Sequence, residues 1–123
     1  MKINLKVTNL AVTPEISDYL DKRLEAAEKF LPKDSGACMA DVELGRTTRH
    51  HQTGDIFRAE VNILIGKKSF RAVSENQDLF SAIDAVKDEI TRALGADKGK
   101  RISLLRRGGQ KIKNALRGIS PWK

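Results

Sequence analysis

The chain has 123 residues, enough for one domain and too few for two independent cores. No apolar run approaches the roughly 20 residues that a membrane-spanning helix needs, and the start lacks the apolar segment of a signal peptide, so we expect a cytoplasmic protein. The formal net charge is +7, and a single cysteine, Cys38, excludes an internal disulfide and a zinc site built on several thiolates.

The first two elements are predicted to be a strand and an amphipathic helix. A strand over residues 2–9 is indicated because apolar residues alternate with polar ones at Ile3, Leu5 and Val7. Thr13 followed by Pro14 is typical of a helix start, since the hydroxyl can cap free backbone N–H groups and proline suits the first helical position. Apolar residues at helical spacing follow, and Pro32 prevents continuation, so the helix is predicted over residues 14–31.

Three further strands and a second helix follow. The strands are predicted from alternating apolar residues, namely Cys38, Ala40, Val42 and Leu44, then Phe57, Ala59, Val61, Ile63 and Ile65, then Phe70 and Ala72. A short turn at Gly66 joins the last two strands into a hairpin. Asp78 is a candidate cap for a helix over residues 79–94, and Gly95 is expected to end it.

The element order strand, helix, three strands, helix predicts a two-layer α+β domain. Every strand has one apolar and one polar face, so both helices should cover the same face of a four-stranded mixed sheet. The first two strands are joined through a helix, which favours a right-handed crossover and parallel pairing, whereas the later hairpins are antiparallel. We place this domain at residues 1–97 and expect only short helical segments beyond it.

The positive charge is concentrated in a C-terminal tail, residues 98–123. The tail holds nine Lys/Arg and no Asp/Glu, whereas residues 1–97 hold 14 Lys/Arg against 16 Asp/Glu. A basic arm of this kind commonly binds nucleic acid, although it can also be merely solvated. The tail residues proposed to contact RNA phosphates are Lys98, Lys100, Arg101, Arg106, Arg107, Lys111 and Lys113.

Three stretches resemble the ribosome hibernation promoting factors and ribosome-associated inhibitors. They lie in the same order, and on the same predicted elements, as in that family. The first runs from Ile3 to Leu31 and includes Val12-Thr13-Pro14-Glu15-Ile16, Lys22-Arg23-Leu24-Glu25 and Glu28-Lys29-Phe30; the others are Gly54-Asp55-Ile56-Phe57-Arg58-Ala59-Glu60-Val61-Asn62 and Asp78-Leu79-Phe80-Ser81-Ala82-Ile83-Asp84. The chain looks like a short form, because nothing in it matches the second domain of the long members.

The resemblance implies a protein that inhibits translation on idle ribosomes. In that family the small ribosomal subunit is bound where messenger RNA and the A- and P-site transfer RNAs would lie, and basic helix residues contact ribosomal RNA. The matching positions here are Lys22, Arg23, Lys29 and Arg92, with Lys87 as a neighbour. The alternative is that these cations only form ion pairs with helical neighbours one turn away.

Further expectations concern a polar loop, two aromatic residues and the absence of catalytic motifs. Arg49 and His50, in the loop between the second and third strands, are candidate RNA contacts, although a polar exposed loop is an equally good interpretation. Tyr19 and Phe80 flank apolar stripes and are predicted to pack in the core. The sequence contains no catalytic or metal-binding motif. We therefore expect that the protein is not an enzyme and that it binds no cofactor, metal, small-molecule substrate or membrane. We also expect it to be a monomer when free. The competing hypothesis is a general RNA- or DNA-binding protein without ribosomal specificity.

Overall fold

The computed structural model describes residues 1–31, 38–48 and 54–116, with side chains up to residue 47 of the second segment and up to Arg106 of the third. The elements are β1 (Lys2–Thr8), α1 (Pro14–Glu28), β2 (Cys38–Thr48), β3 (Asp55–Ile65), β4 (Lys68–Asn76) and α2 (Leu79–Leu116). Within these residues, neither helix contains a stretch long and apolar enough to cross a membrane.

The four strands form one sheet in the order β1-β2-β3-β4. The β1 and β2 strands are parallel, and the two later pairs are antiparallel, which confirms the predicted mixed sheet. The turn between β3 and β4 has two residues, and Gly66 adopts a φ of 58° there. Glycine suits this turn because a side chain is disfavoured at positive φ.

Both helices pack on one face of the sheet, as predicted. The buried residues are Leu20, Leu24 and Ala27 of α1, Ala40, Val42 and Leu44 of β2, Ala59, Val61, Ile63 and Ile65 of β3, Ala72 of β4, and Leu79, Ala82, Ile83, Val86, Ile90 and Leu94 of α2. The cover is incomplete over β1, the edge strand, where Leu5 and Val7 remain 38% and 39% exposed on the same face as Val42 and Leu44.

Helix α1 begins as predicted and ends three residues earlier. The Thr13 hydroxyl accepts a hydrogen bond from the Ile16 N–H at 3.3 Å, which satisfies one of the free donors of the first turn. At the other end, Phe30 and Leu31 donate to carbonyls three residues earlier, Ala27 and Glu28. Bonds of this spacing belong to a tighter turn, so the chain leaves the α-helix before Pro32.

Helix α2 is much longer than predicted, and the expected end at Gly95 was wrong. Gly95 is not among the glycines with positive φ, so the backbone stays helical where a glycine cap would turn left-handed. A glycine inside a helix costs only about 1 kcal/mol relative to alanine, which contacts elsewhere in the helix can offset. The basic segment therefore continues the packed helix as far as Leu116. The division of the chain into a domain, residues 1–97, and a basic tail, residues 98–123, remains a prediction.

Candidate nucleic-acid interface

The predicted RNA-binding residue Arg23 is held between the two helices. Its Nε donates to Oδ1 of Asp84 at 2.8 Å, and its Nη2 donates to the Tyr19 hydroxyl at 3.1 Å. The Tyr19 hydroxyl in turn lies 2.7 Å from both carboxylate oxygens of Asp84, to which it donates. The hydrogen bonds that Arg23 donates to Tyr19 and Asp84 raise the pKa of Arg23, so this side chain stays charged. Any RNA contact by Arg23 therefore involves a cation that is already paired.

Aromatic packing fixes the same junction. The Tyr19 ring meets the Phe80 ring edge to face, with centroids 4.9 Å apart, and the Arg23 guanidinium lies 4.6 Å from the Tyr19 centroid. Such contacts each stabilise a structure by about 1 kcal/mol. Tyr19 is half-buried and packs against the core, as predicted, whereas Phe80 is half-buried and lies outside the core cluster, where it packs on Tyr19. The junction holds α1 against the start of α2.

A second acid, Asp88, lies one helical turn after Asp84 among predicted RNA-binding cations. Its Oδ1 is 2.7 Å from Lys87 Nζ, and its backbone carbonyl accepts a hydrogen bond from Arg92 Nε at 3.4 Å. The hydrogen bond from Lys87 and the charges of Lys87, Arg92 and Arg23 lower the pKa of Asp88. Lys87 and Arg92 thus both contact Asp88, and Arg23 is paired with Asp84, one turn earlier on the same helix.

Lys22 and Lys29 differ from these residues because they are exposed and unpaired. Within the described part of the chain, neither side chain forms an ion pair or hydrogen bond. The ion pairs with helical neighbours that the alternative interpretation requires are thus not formed. Both ammonium groups are available to phosphate.

A third acid, Asp97, ties the next part of α2 to the sheet and to α1. Its Oδ1 pairs with Lys68 Nζ at 2.9 Å and its Oδ2 with Arg101 Nε at 3.0 Å. Arg101 Nη2 also donates to the Phe30 carbonyl at 3.1 Å, just beyond the end of α1. Lys98 lies 5.9 Å from the centroid of the Phe30 ring. We call these five residues the Asp97 cluster.

Helix α2 continues beyond the Asp97 cluster as far as Leu116. We define the helical arm as residues 98–116 of α2. Lys100 and Arg106 are exposed on it, whereas Arg101 is half-buried. Arg107, Lys111 and Lys113 occupy helical positions, but their side chains lie outside the described residues. Arg49 and His50 also lie outside them.

The helices differ sharply in charge along their length. Helix α1 holds five Asp/Glu and two Lys/Arg, and residues 79–97 of α2 hold four Asp/Glu and two Lys/Arg. The helical arm holds seven Lys/Arg and no Asp/Glu. The attraction for a polyanion is therefore strongest along the arm, while the cations of the domain lie among acids that restrict where a phosphate can bind.

Asp84, Asp88 and Asp97 contact the candidate RNA-binding cations, and the sequence patterns did not predict these three residues as part of the site. Asp97 and Arg101 are spaced i,i+4, and this spacing was the one local signal of an ion pair. The Tyr19 to Asp84 contact joins residues 65 positions apart, so no local pattern predicts it. Among the described residues, no group of three or more His, Cys, Asp or Glu side chains has a geometry that could hold a metal ion.

Comparison with known proteins identifies the family. Residues 3–102 match the family described as Sigma 54 modulation protein / S30EA ribosomal protein. The chain belongs to this family. The resemblance drawn from the three stretches of sequence is thereby confirmed, and the match extends past Gly95 into the first turns of the helical arm.

Two relatives and two solved structures show how far the likeness extends. The chain is 34% identical over 100 residues to a ribosome hibernation promotion factor of Picosynechococcus sp., covering 81% of this chain and 50% of that protein. It is 23% identical over 100 residues to a ribosome hibernation promoting factor of Klebsiella oxytoca, covering 81% and 96%. The chain thus spans about half the length of the first relative and nearly all of the second.

The solved structures support the fold. The N-terminal domain of Protein Y from Thermus thermophilus matches with a TM-score of 0.64 and 27% identity, covering 78% of this chain and 98% of that one. A ribosomal subunit interface protein from Coxiella burnetii matches with a TM-score of 0.63 at 13% identity, covering 80% and 99%, which supports the fold alone. The α+β architecture is therefore shared with members of the family.

Proposed function

We propose that this protein binds the small ribosomal subunit in the region of messenger RNA and the A- and P-site transfer RNAs, and so inhibits translation on idle ribosomes. The observation that carries the proposal is the family match over residues 3–102, on a domain whose last helix continues as a cationic arm. Both named relatives are ribosome hibernation factors, which supports the same function here.

The proposed mechanism is steric and electrostatic. The folded domain occupies the decoding region, and the exposed ammonium groups of Lys22 and Lys29 contact the RNA backbone beside the cluster of Arg23, Lys87 and Arg92. The helical arm extends along neighbouring RNA, where each neutralised phosphate releases counterions. Charge complementarity positions the domain, and the volume of the domain excludes transfer RNA.

Binding to separated ribosomal subunits tests the proposal. Purified small and large subunits and vacant ribosomes are each sedimented with the protein, and we expect the protein in the pellets with small subunits and with ribosomes. Initiator transfer RNA should then displace the protein, because the two share a site. A protein that does not sediment with the small subunit, or that stays bound under excess initiator transfer RNA, refutes this function.

A general nucleic-acid-binding function is the second candidate, and the net charge of the helical arm favours it. Seven cations on one helix attract many polyanions irrespective of sequence. Competition separates the two functions. A ribosome-specific protein keeps its hold on small subunits in the presence of excess unrelated duplex RNA, whereas a general binder redistributes to the competitor in proportion to phosphate.

A further inference from the structure

Asp88 differs from Asp84 and Asp97 because, among the described residues, its side chain does not join one element of the fold to another. Asp84 joins α1 to α2 through Tyr19 and Arg23, and Asp97 joins α2 to Lys68. Asp88 instead projects its carboxylate to solvent, with 62% of the side chain exposed, and it pairs with Lys87, the adjacent residue on its own helix. Among the residues that the structure describes, its loss would break no contact between elements of the fold.

The Asp88 carboxylate pairs with the ammonium group of Lys87, a donor of the kind that also binds phosphate. The carboxylate lies 2.7 Å from Lys87 Nζ, within the influence of Arg92 and Arg23. A carboxylate and a phosphate use the same donors, since both present anionic oxygens to ammonium and guanidinium groups. A phosphate that approaches these cations therefore meets a fixed negative charge at short range.

We propose that Asp88 is an internal competitor for RNA phosphate, which occupies the ammonium group of Lys87 in the free protein and weakens its binding to RNA. The inference rests on the proposed RNA-binding function and adds a specificity determinant to it. An isolated phosphate gains little by displacing Asp88, whereas an RNA surface that also engages Lys22, Lys29 and the arm offsets the repulsion. Asp88 thereby favours the extended ribosomal site over short or irregular RNA, and it keeps binding reversible.

Neutralising Asp88 tests this proposal, and Glu89 provides a matched control. Glu89 is the next residue, is exposed and forms no ion pair in the described part of the chain. Asp88→Asn and Glu89→Gln change the net charge equally. We expect Asp88→Asn to tighten binding by about 5- to 10-fold at about 0.1 M salt, from the interaction of unit charges about 4 Å apart in a water-like dielectric, which suits a side chain that is 62% exposed. We expect Glu89→Gln to change it by less than about 2-fold, because Glu89 pairs with no cation in the described part of the chain and charges more than about 10 Å away are screened at about 0.1 M salt.

The gain should depend on Lys87. In a Lys87→Gln background, Asp88→Asn should tighten binding no more than Glu89→Gln does, because the competitor then has no ammonium group to release. This double-mutant comparison separates local competition from a general effect of charge. Circular dichroism and the urea unfolding midpoint, unchanged in all variants, would show that the fold is intact.

Two RNA probes distinguish this inference from the proposed function. Affinity is measured for small ribosomal subunits and for an unrelated RNA duplex, and on each RNA that the protein binds Asp88→Asn should tighten binding more than Glu89→Gln does. Wild-type protein that fails to bind small subunits refutes the proposed function, whereas a difference between Asp88→Asn and Glu89→Gln on the duplex would still support competition. Equal effects of the two substitutions, or a gain that persists without Lys87, overturn the inference on Asp88.

Discussion

We predict that cations of the helical arm contribute a measurable part of the salt dependence of RNA binding. We choose lysines on the arm that take no part in the Asp97 cluster and replace them with glutamine, in a triple variant of Lys100, Lys111 and Lys113. Glutamine keeps the helix propensity and the length of the side chain while it removes the charge. The matched control replaces three exposed lysines on the sheet and its turn, Lys2, Lys6 and Lys67.

The expected magnitude follows from counterion release. Each lost phosphate contact reduces the slope of log K against log salt by about 0.7 for single-stranded and about 0.9 for duplex nucleic acid. Three contacts reduce it by about 2 to 3. A fourfold rise in salt weakens binding of both proteins. The fold-loss of affinity should be about 20 to 40 times smaller for the arm variant than for the wild type. The two triple variants have the same net charge, so a difference between them reports position.

The assay is equilibrium binding to small ribosomal subunits from about 50 to 200 mM KCl, the range in which such slopes are readily measured. We expect the slope of the control variant to stay close to that of the wild type. If the two variants show the same slope, the arm does not engage phosphate and net charge alone governs binding. A wild-type slope in the arm variant would contradict the reasoning in the same way.

Three predictions concern the fold. Leu24→Ala should lower the free energy of unfolding in urea by about 2–5 kcal/mol, because Leu24 is 1% exposed and its truncation leaves a cavity. Thr13→Ala should cost about 1 kcal/mol and Thr13→Ser much less, since serine keeps the capping hydroxyl. Hydrogen bonds from Lys68 and then Arg101 lower the pKa of Asp97. The stabilisation that these contacts give the fold is therefore full above about pH 4 and is lost in more acidic solution. The free energy of unfolding of Asp97→Asn should depend less on pH in this range.

Local patterns were sufficient to predict most of the fold. Alternation at Ile3, Leu5 and Val7 identified β1, because the two faces of a strand meet different surroundings. The Thr13-Pro14 pair located the start of α1, since a helix start requires only residues that are adjacent in the chain. The parallel pairing of β1 with β2 followed from the helix between them.

The same local reasoning failed at Gly95, for a physical reason. A glycine lowers helix propensity, but it ends a helix only where the backbone turns left-handed. The contact of Arg101 with the Phe30 carbonyl joins residues 71 positions apart and holds the helix beyond the glycine. Such a contact exists only once α1 and α2 are packed on the sheet.

The candidate site divides in the same way. The excess of positive charge after residue 97 and the exposure of Lys22 and Lys29 follow from the order of amino acids, because charge and helical periodicity are properties of consecutive residues. The state of each cation depends on packing. Arg23 is paired with Asp84, and Lys68 with Asp97, because two helices and a sheet bring distant residues within hydrogen-bonding distance. Charge is thus encoded locally, whereas its availability to a partner is set by the neighbours that folding supplies.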